Sequence, residues 1–281
     1  MKKKVDSEII NAAVSGDRKS LEYLLDSVKD LVFNLSLRML GKVSDAEDAS
    51  QEIYIKIITN LSAFRNESKF STWVYRLSVN HLINYKKSFF YRFNYQIVEF
   101  KEDWERFRIS KGEYENDYDK EMYAEELKKS CTNTMLQFLK PEQRCIYILG
   151  NMFKLKSSLA SEILGITPEN YRKKLSRIRK KVSDNILNYC GLEGNNNCRC
   201  NERVSYAVKN KRLHPHNLEY INLEEIEESY LNKFIKSMEV MEEYSDVFSK
   251  LPFYKSKVGS RRFIEGIISS QDMKFITDKY K

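Results

Sequence analysis

Apolar residues recur at helical spacing along almost the whole chain and rarely alternate, so helices rather than strands are expected. Between residues 6 and 40 the series Ile9, Ala13, Leu21, Leu24, Leu25, Val28, Val32, Leu35 and Leu37 is broken at Gly16-Asp17 and closed at Gly41, which predicts two helices. Two more are expected between Asp45 and Lys87. In the first, Ile53, Tyr54, Ile57, Ile58 and Leu61 share one arc at about 100° per residue, and Asp45, Asp48 and Glu52 line up on the other side. Carboxylates three and four residues apart repel mildly, so they add nothing to an isolated helix. A cationic partner would gain from them, whereas a solvated acidic face is the plain alternative. After a polar loop at 65–69, the second helix sets Trp73, Arg76, Asn80, Asn84 and Lys87 on one face and Val74, Leu77, Val79 and Leu82 on the opposite one.

From Phe89 the periodicity fades, and acidic residues dominate after Lys101, so 89–126 reads as an acidic linker. Its first part, with Phe89, Phe90, Tyr91 and Phe93, is unusually aromatic for a tether. A second unit is expected over 127–188. Its core series runs Met135, Leu136, Phe138, Leu139, Cys145, Ile146, Leu149, Leu159, Ala160, Ile163 and Leu164. Gly165-Ile166 then closes one helix, and Thr167 as N-cap with Pro168 at the first helical position opens the next. Helix, glycine-containing turn and helix make a helix-turn-helix pattern. In its second helix Tyr171, Leu175, Ile178 and Val182 form a buried stripe, which turns Lys173, Arg177 and Lys180 outward with Arg172, Lys174, Arg179 and Lys181 beside them. That face suits a DNA major groove; a merely solvated basic flank is the alternative.

At 281 residues two or three units are expected, and only four prolines and nine glycines argue against a turn-rich all-β fold. The fold class is therefore all-α: two small helical domains, 1–88 and 127–188, joined by the linker and followed by a helical extension over 189–281. A net charge of +8 favours a polyanionic partner. No run approaches the ~20 apolar residues of a membrane span. MKKKVDSEII carries lysines without an apolar segment after them, so neither membrane insertion nor secretion is expected, and the cytoplasm is the expected compartment. No side-chain constellation has the pairing that nucleophilic or acid-base catalysis requires, and no glycine loop for nucleotide phosphates is present, so an enzyme is not expected.

Cations, amides and an indole on one helix suit nucleic acid: cations neutralise phosphates, amides read base edges, and aromatic faces stack on unpaired bases. For Trp73, packing into a core is the competing role. The order of residues adds more than their types. DAEDASQE, followed by FRNESKFSTWVYRLSVN, closely resembles region 2 of bacterial RNA polymerase sigma factors of the extracytoplasmic-function group, from about Leu21 to Lys87. By that resemblance Asp45, Asp48, Gln51 and Glu52 would dock on a coiled coil of the polymerase β′ subunit. Ser68, Phe70, Trp73, Arg76 and Asn80 would recognise the promoter −10 element and hold it open. LKPEQRCIYIL and SLASEILGITPENYRKKLSRIRKKV resemble sigma region 4, which binds the −35 element and the β-flap tip. That role would fall on Arg172, Lys173, Lys174 and Arg177. Two departures stand out: Lys154-Leu155-Lys156-Ser157 where the family has a glycine-leucine-serine turn, and Tyr171-Arg172 where a small or β-branched residue precedes a cation.

The resemblance implies a promoter-specificity subunit whose partners are core polymerase and promoter DNA, with an anti-sigma factor as a further partner to test for. A free-standing helix-turn-helix regulator, or a sigma-like adaptor recruited by another factor, are the alternatives. The extension is read as regulatory. It opens with Cys190, Cys198 and Cys200, resembling a Cys-Gly-Leu then Cys-Arg-Cys pattern in some sigma factors of the group. Three close thiols favour metal or redox chemistry over a structural disulfide in a reducing compartment. No resident cofactor is expected, but zinc would find a fourth ligand within sequence reach in His214 or His216; a redox thiol group and plain reduced cysteines stay open beside it. Cys131 and Cys145 read as core residues.

Overall fold

In the computed structural model, residues 7–85, 119–190, 198–226 and 251–269 are described. Helix α1 spans Ser7–Val14 and α2 spans Arg18–Leu40. Asp17 caps α2 by accepting from the Ser20 amide at 2.9 Å, and Gly41, at φ 77°, ends it by donating to Leu37. Next come α3, Val43–Asn60, a 3-10 turn at Leu61–Ala63, and α4, Phe70–Asn84. The second half contains α5, Lys120–Met135, and α6, Pro141–Tyr147, which runs on into a π-turn at Ile148–Met152. It continues with α7, Ser157–Leu164, and α8, Pro168–Tyr189. The extension holds α9, Cys200–Lys209, and α10, Ser260–Ser269. Among the described residues the non-helical pairing is one isolated antiparallel bridge, Glu225 with Tyr254.

The structure departs from the expected partition in three ways. The helix that opens the second unit begins at Lys120, not after 126, so the end of the acidic segment is folded; the rest of that segment, residues 89–118, lies outside the described residues. The two units are not separate bodies. One apolar core runs from Ile10, Leu24, Ile53 and Val74 through Ile146, Phe153, Ile163 and Ile178 to Leu251 and Ile264. Tyr75 meets Phe153 at 6.1 Å and Phe153 meets Phe253 at 5.1 Å, so rings from both units and the extension share one contact. Third, the extension is only partly helical: 211–226 and 251–258 run as turns and extended chain over α2 and α5, while most of the helical period expected from Leu223 to Phe248 lies outside the described residues.

Helix α2 explains the merger. Every residue from Leu31 to Leu40 is buried, polar ones included. A helix buried all round must satisfy its polar side chains internally. Arg38, 0% exposed, donates to Asn133 Oδ1 on α5 at 2.7 Å and to the Pro252 carbonyl. Asn34 pairs with the Tyr254 backbone as a strand edge would, donating at 2.7 Å and accepting at 2.9 Å. From α6, Arg144 donates to the carbonyls of Leu136, Gln137 and Leu139 at 2.9–3.1 Å and to that of Met39. Burial lowers both guanidinium pKa values, yet the carbonyl acceptors favour the charged form and arginine stays protonated in proteins.

Candidate polymerase and nucleic-acid interface

Helix α3 buries Val43, Ala46, Ala49, Ser50, Ile53, Tyr54 and Ile57, and that choice of face turns Asp48, Gln51 and Glu52 to solvent, with Asp45 half-buried. Burial first, and then the carboxylates of Glu52, Asp48 and Asp45, push the Tyr85 phenol up to about 12. Glu52 also lies 3.3 Å from His81 on α4, whose own pKa burial pulls down.

The polar loop ends in α4, and here the candidate residues divide. Arg76 and Asn80 are exposed, and Trp73 and Ser68 are half-buried. Phe70 is 4% exposed, packed edge-on against Phe64 at 5.8 Å and stacked on Trp73 at 5.8 Å. Its assignment to DNA contact is therefore corrected: at the first turn of α4 the ring is drawn into the core with Val74 and Tyr75. Leu77, expected on the core face, is half-buried and lines a groove of about 680 Å³ between α3 and α4. Trp73, Arg76 and Asn80 line the same groove with Glu52, Lys56 and His81. Periodicity placed the candidate residues on two helices and the resemblance gave them docking and −10 roles; the fold brings members of both sets to one concave surface. Lys56 and His81 were missed, although both lie on the polar faces of these helices.

Arg76 is also engaged elsewhere. Its guanidinium sits 3.1 Å from the Glu162 carboxylate on α7 and 3.4 Å from that residue's carbonyl. Both partners are about half exposed, so the bridge is weak, roughly 0–1 kcal/mol, but it joins the α4 surface to the helix-turn-helix unit.

The helix-turn-helix forms as its sequence pattern implies. Gly165, at φ 65°, ends α7, and Thr167 Oγ1 accepts from the Asn170 amide at 3.2 Å to start α8. Tyr171, Leu175, Ile178 and Val182 are buried; Arg172, Lys173, Lys174 and Arg177 are all exposed. Lys173 pairs with Glu169 one turn back at 2.7 Å, and Arg172 donates to Ser157 at 3.3 Å, so the four cations keep to one accessible surface. The large Tyr171 fits because Gly150 faces it: a Cβ there would lie 2.5 Å from its hydroxyl, which donates to the Ile146 carbonyl at 3.2 Å. Lys154 takes the left-handed φ of 49° that a glycine would adopt without strain.

At the start of the extension Cys190, Cys198 and Cys200 are half-buried and not joined in disulfides. His214 and His216 are exposed and follow the end of α9. Among the described residues no helix is long and apolar enough to cross a membrane.

Residues 24–88 match the family model of sigma-70 region 2. The extracytoplasmic-function sigma factor SigW of Bacillus subtilis is 39% identical over 75 residues, 27% of this chain and 40% of that protein. The RNA polymerase sigma factor YlaC of the same organism is 27% identical over 174 residues, 60% of this chain and 93% of its own length. Among solved structures, that of CnrH in complex with the cytosolic domain of CnrY has a TM-score of 0.45 and 14% identity, covering 65% of this chain and 97% of that one. The chain spans about two fifths of the length of the first curated relatives it matches. Over residues 24–88 this chain is thus similar to region 2 of sigma-70 factors, and the curated proteins it resembles there include factors of the extracytoplasmic-function type.

Proposed function

We propose that this protein is a promoter-specificity subunit of bacterial RNA polymerase that catalyses no reaction of its own. The observation that carries the reading is the exposed ridge Asp48, Gln51 and Glu52 within the sigma-70 region 2 match, on a helix whose opposite face is wholly used by the core. In this reading the ridge docks on the β′ coiled coil. The groove beside it, with Trp73, Arg76 and Asn80, takes the non-template strand of the −10 element, and Arg172, Lys173, Lys174 and Arg177 enter the major groove at −35 while the same unit meets the β-flap. Replacing Asp48 and Glu52 by lysine should abolish co-elution with core polymerase while leaving the circular-dichroism melt unchanged, since neither residue is buried. Unchanged co-elution would overturn the assignment.

The extension is proposed as a clasp that regulates this activity. The −10 and −35 elements lie apart along the promoter, so α4 and α8 cannot serve both while they share one core. Tyr220 donates to the Gly41 carbonyl at 2.9 Å, Asn34 holds Tyr254, and the Glu126 carboxylate accepts from the amides of Glu219, Tyr220 and Ile221 at 2.8–3.1 Å. These bonds tie the extension to α2 and α5 and favour the closed form. A chain ending at Asn188 is expected to initiate transcription at least as well as the full chain in a reconstituted assay; complete loss of initiation would make the extension part of the machinery instead.

A further inference from the structure

Cys131, read from sequence as a core residue, stands next to the three cysteines of the extension, and helix geometry says why. Helices α5 and α9 pack through Tyr123, Ala124 and Leu127 on one side and Val204 and Ala207 on the other. Residues four apart share a helix face. One turn beyond Leu127 on α5 is Cys131, and one turn before Val204 on α9 is Cys200. The thiols of Cys190, Cys198 and Cys200 lie near enough to act electrostatically on Cys131, so the two helices run antiparallel and bring Cys131 and Cys200 to the same end of the pair. Cys200 packs against that α5–α9 cluster, while Cys131 and Cys190 both pack against the main core beside it. Cys198 lies two residues before Cys200 in the extended lead-in to α9 and takes a hydrogen bond from the Arg203 side chain, a guanidinium only 6% exposed.

We infer that Cys131, Cys190, Cys198 and Cys200 are the four ligands of a structural zinc ion that joins α5, the end of α8 and the start of α9. A tetrahedral four-thiolate site closes coordination without water, which is the form of structural rather than catalytic zinc. With Zn–S bonds of about 2.3 Å the sulfurs would stand ~3.8 Å from one another. Among the described residues no group of three or more potential ligands already has metal-binding geometry, so the ion must draw the thiols together. Two of the four, Cys190 and Cys198, lie outside helices.

Charge agrees with this assignment. Four thiolates around a divalent ion leave a net negative centre, and Arg203 and Lys128 are the cations that act on these sulfurs. Burial pushes the Cys131 thiol up to about 12 and the Cys200 thiol up to about 11, with Arg203 opposing and the other thiols of the group adding to the rise. Without a metal such sulfurs stay protonated and weakly nucleophilic, which disfavours a reactive redox thiol. The inference does not depend on promoter recognition: it would hold for a free-standing regulator with the same fold.

The full-length protein, purified under reducing conditions, is expected to carry one zinc ion per chain by elemental mass spectrometry. Replacement by cobalt should produce the intense ligand-field and sulfur-to-metal charge-transfer bands of a four-thiolate site. Cys131→Ser should lower the metal content and weaken those bands, whereas Cys145→Ser, whose thiol is buried in the core away from this group, should leave both unchanged. A folded Cys131→Ser protein with full zinc and an unaltered cobalt spectrum would overturn the inference. So would a metal-free wild-type chain in reducing buffer, or a native mass showing the four cysteines paired as disulfides. Should Cys131→Ser not fold, the wild-type cobalt spectrum decides: three-thiolate band intensities reject Cys131 as a ligand, and four-thiolate intensities support it.

Discussion

Helices α4 and α8 both offer cations to nucleic acid, but they are held in different ways. Helix α4 is engaged on two sides. Val74, Tyr75, Val79 and Leu82 enter the core, Phe70 and Trp73 stack on each other and pack edge-on or tilted against Phe64, and Arg76 reaches across to Glu162. Helix α8 is anchored along one stripe and leaves its basic surface to solvent. Residue types suited to DNA are therefore not equally available: on α8 they can be used as they stand, whereas on α4 function and stability are mixed in the same side chains. A substitution that isolates recognition on α8 will often perturb folding on α4.

The largest expected effect tests the α4 side. Phe70→Ala should cost about 3–5 kcal/mol in a urea melt, because it removes a buried ring from the Phe64–Trp73 cluster. A cost below 1 kcal/mol would return Phe70 to the list of DNA contacts. Gly150→Ala comes next. The new methyl would meet Tyr171 Oη at 2.5 Å and Leu175 at 2.6 Å, an overpacking worth about 1–3 kcal/mol, and it should loosen α8 without touching a basic residue. Equal stability of that variant would mean that α8 is not seated on the π-turn as described.

Smaller effects separate the two helices further. In a double-mutant cycle Arg76→Ala and Glu162→Ala should couple by less than about 1 kcal/mol, as expected of a half-exposed bridge. If the clasp reading is right, Glu162→Ala alone should raise promoter opening, measured by permanganate footprinting, because it frees Arg76. Lowered opening would count against an inhibitory role for this contact. Least of all in stability, within about 0.5 kcal/mol, should be Lys173→Ala with Arg177→Ala, both on the exposed face of α8. Their effect belongs in binding: anisotropy titrations over a range of salt should show a salt slope lowered by roughly 0.9 for each lost phosphate contact. An unchanged slope and affinity would leave this face without a role in DNA binding.

The sequence by itself determined the local structure: α2 ends at Gly41 because a left-handed residue is needed there, α8 starts at Thr167-Pro168 because a hydroxyl cap and a fixed φ favour it, and the Asp48–Glu52 ridge is outward because the apolar arc is inward. These signals lie within a turn or two of the residues they govern, so periodicity and capping chemistry suffice to read them. Only the tertiary structure decided what lies on the far side of each helix. It buried Phe70, brought Leu77 and Lys56 to one groove, merged two expected domains around Arg38 and Arg144, and set Cys131 beside cysteines about sixty and more residues away in the chain. The physical reason is that burial and polar pairing depend on partners distant in sequence. An arginine in an apolar period reads as solvent-facing until the fold supplies the carbonyls of Pro252 or Met39 that make its burial tolerable.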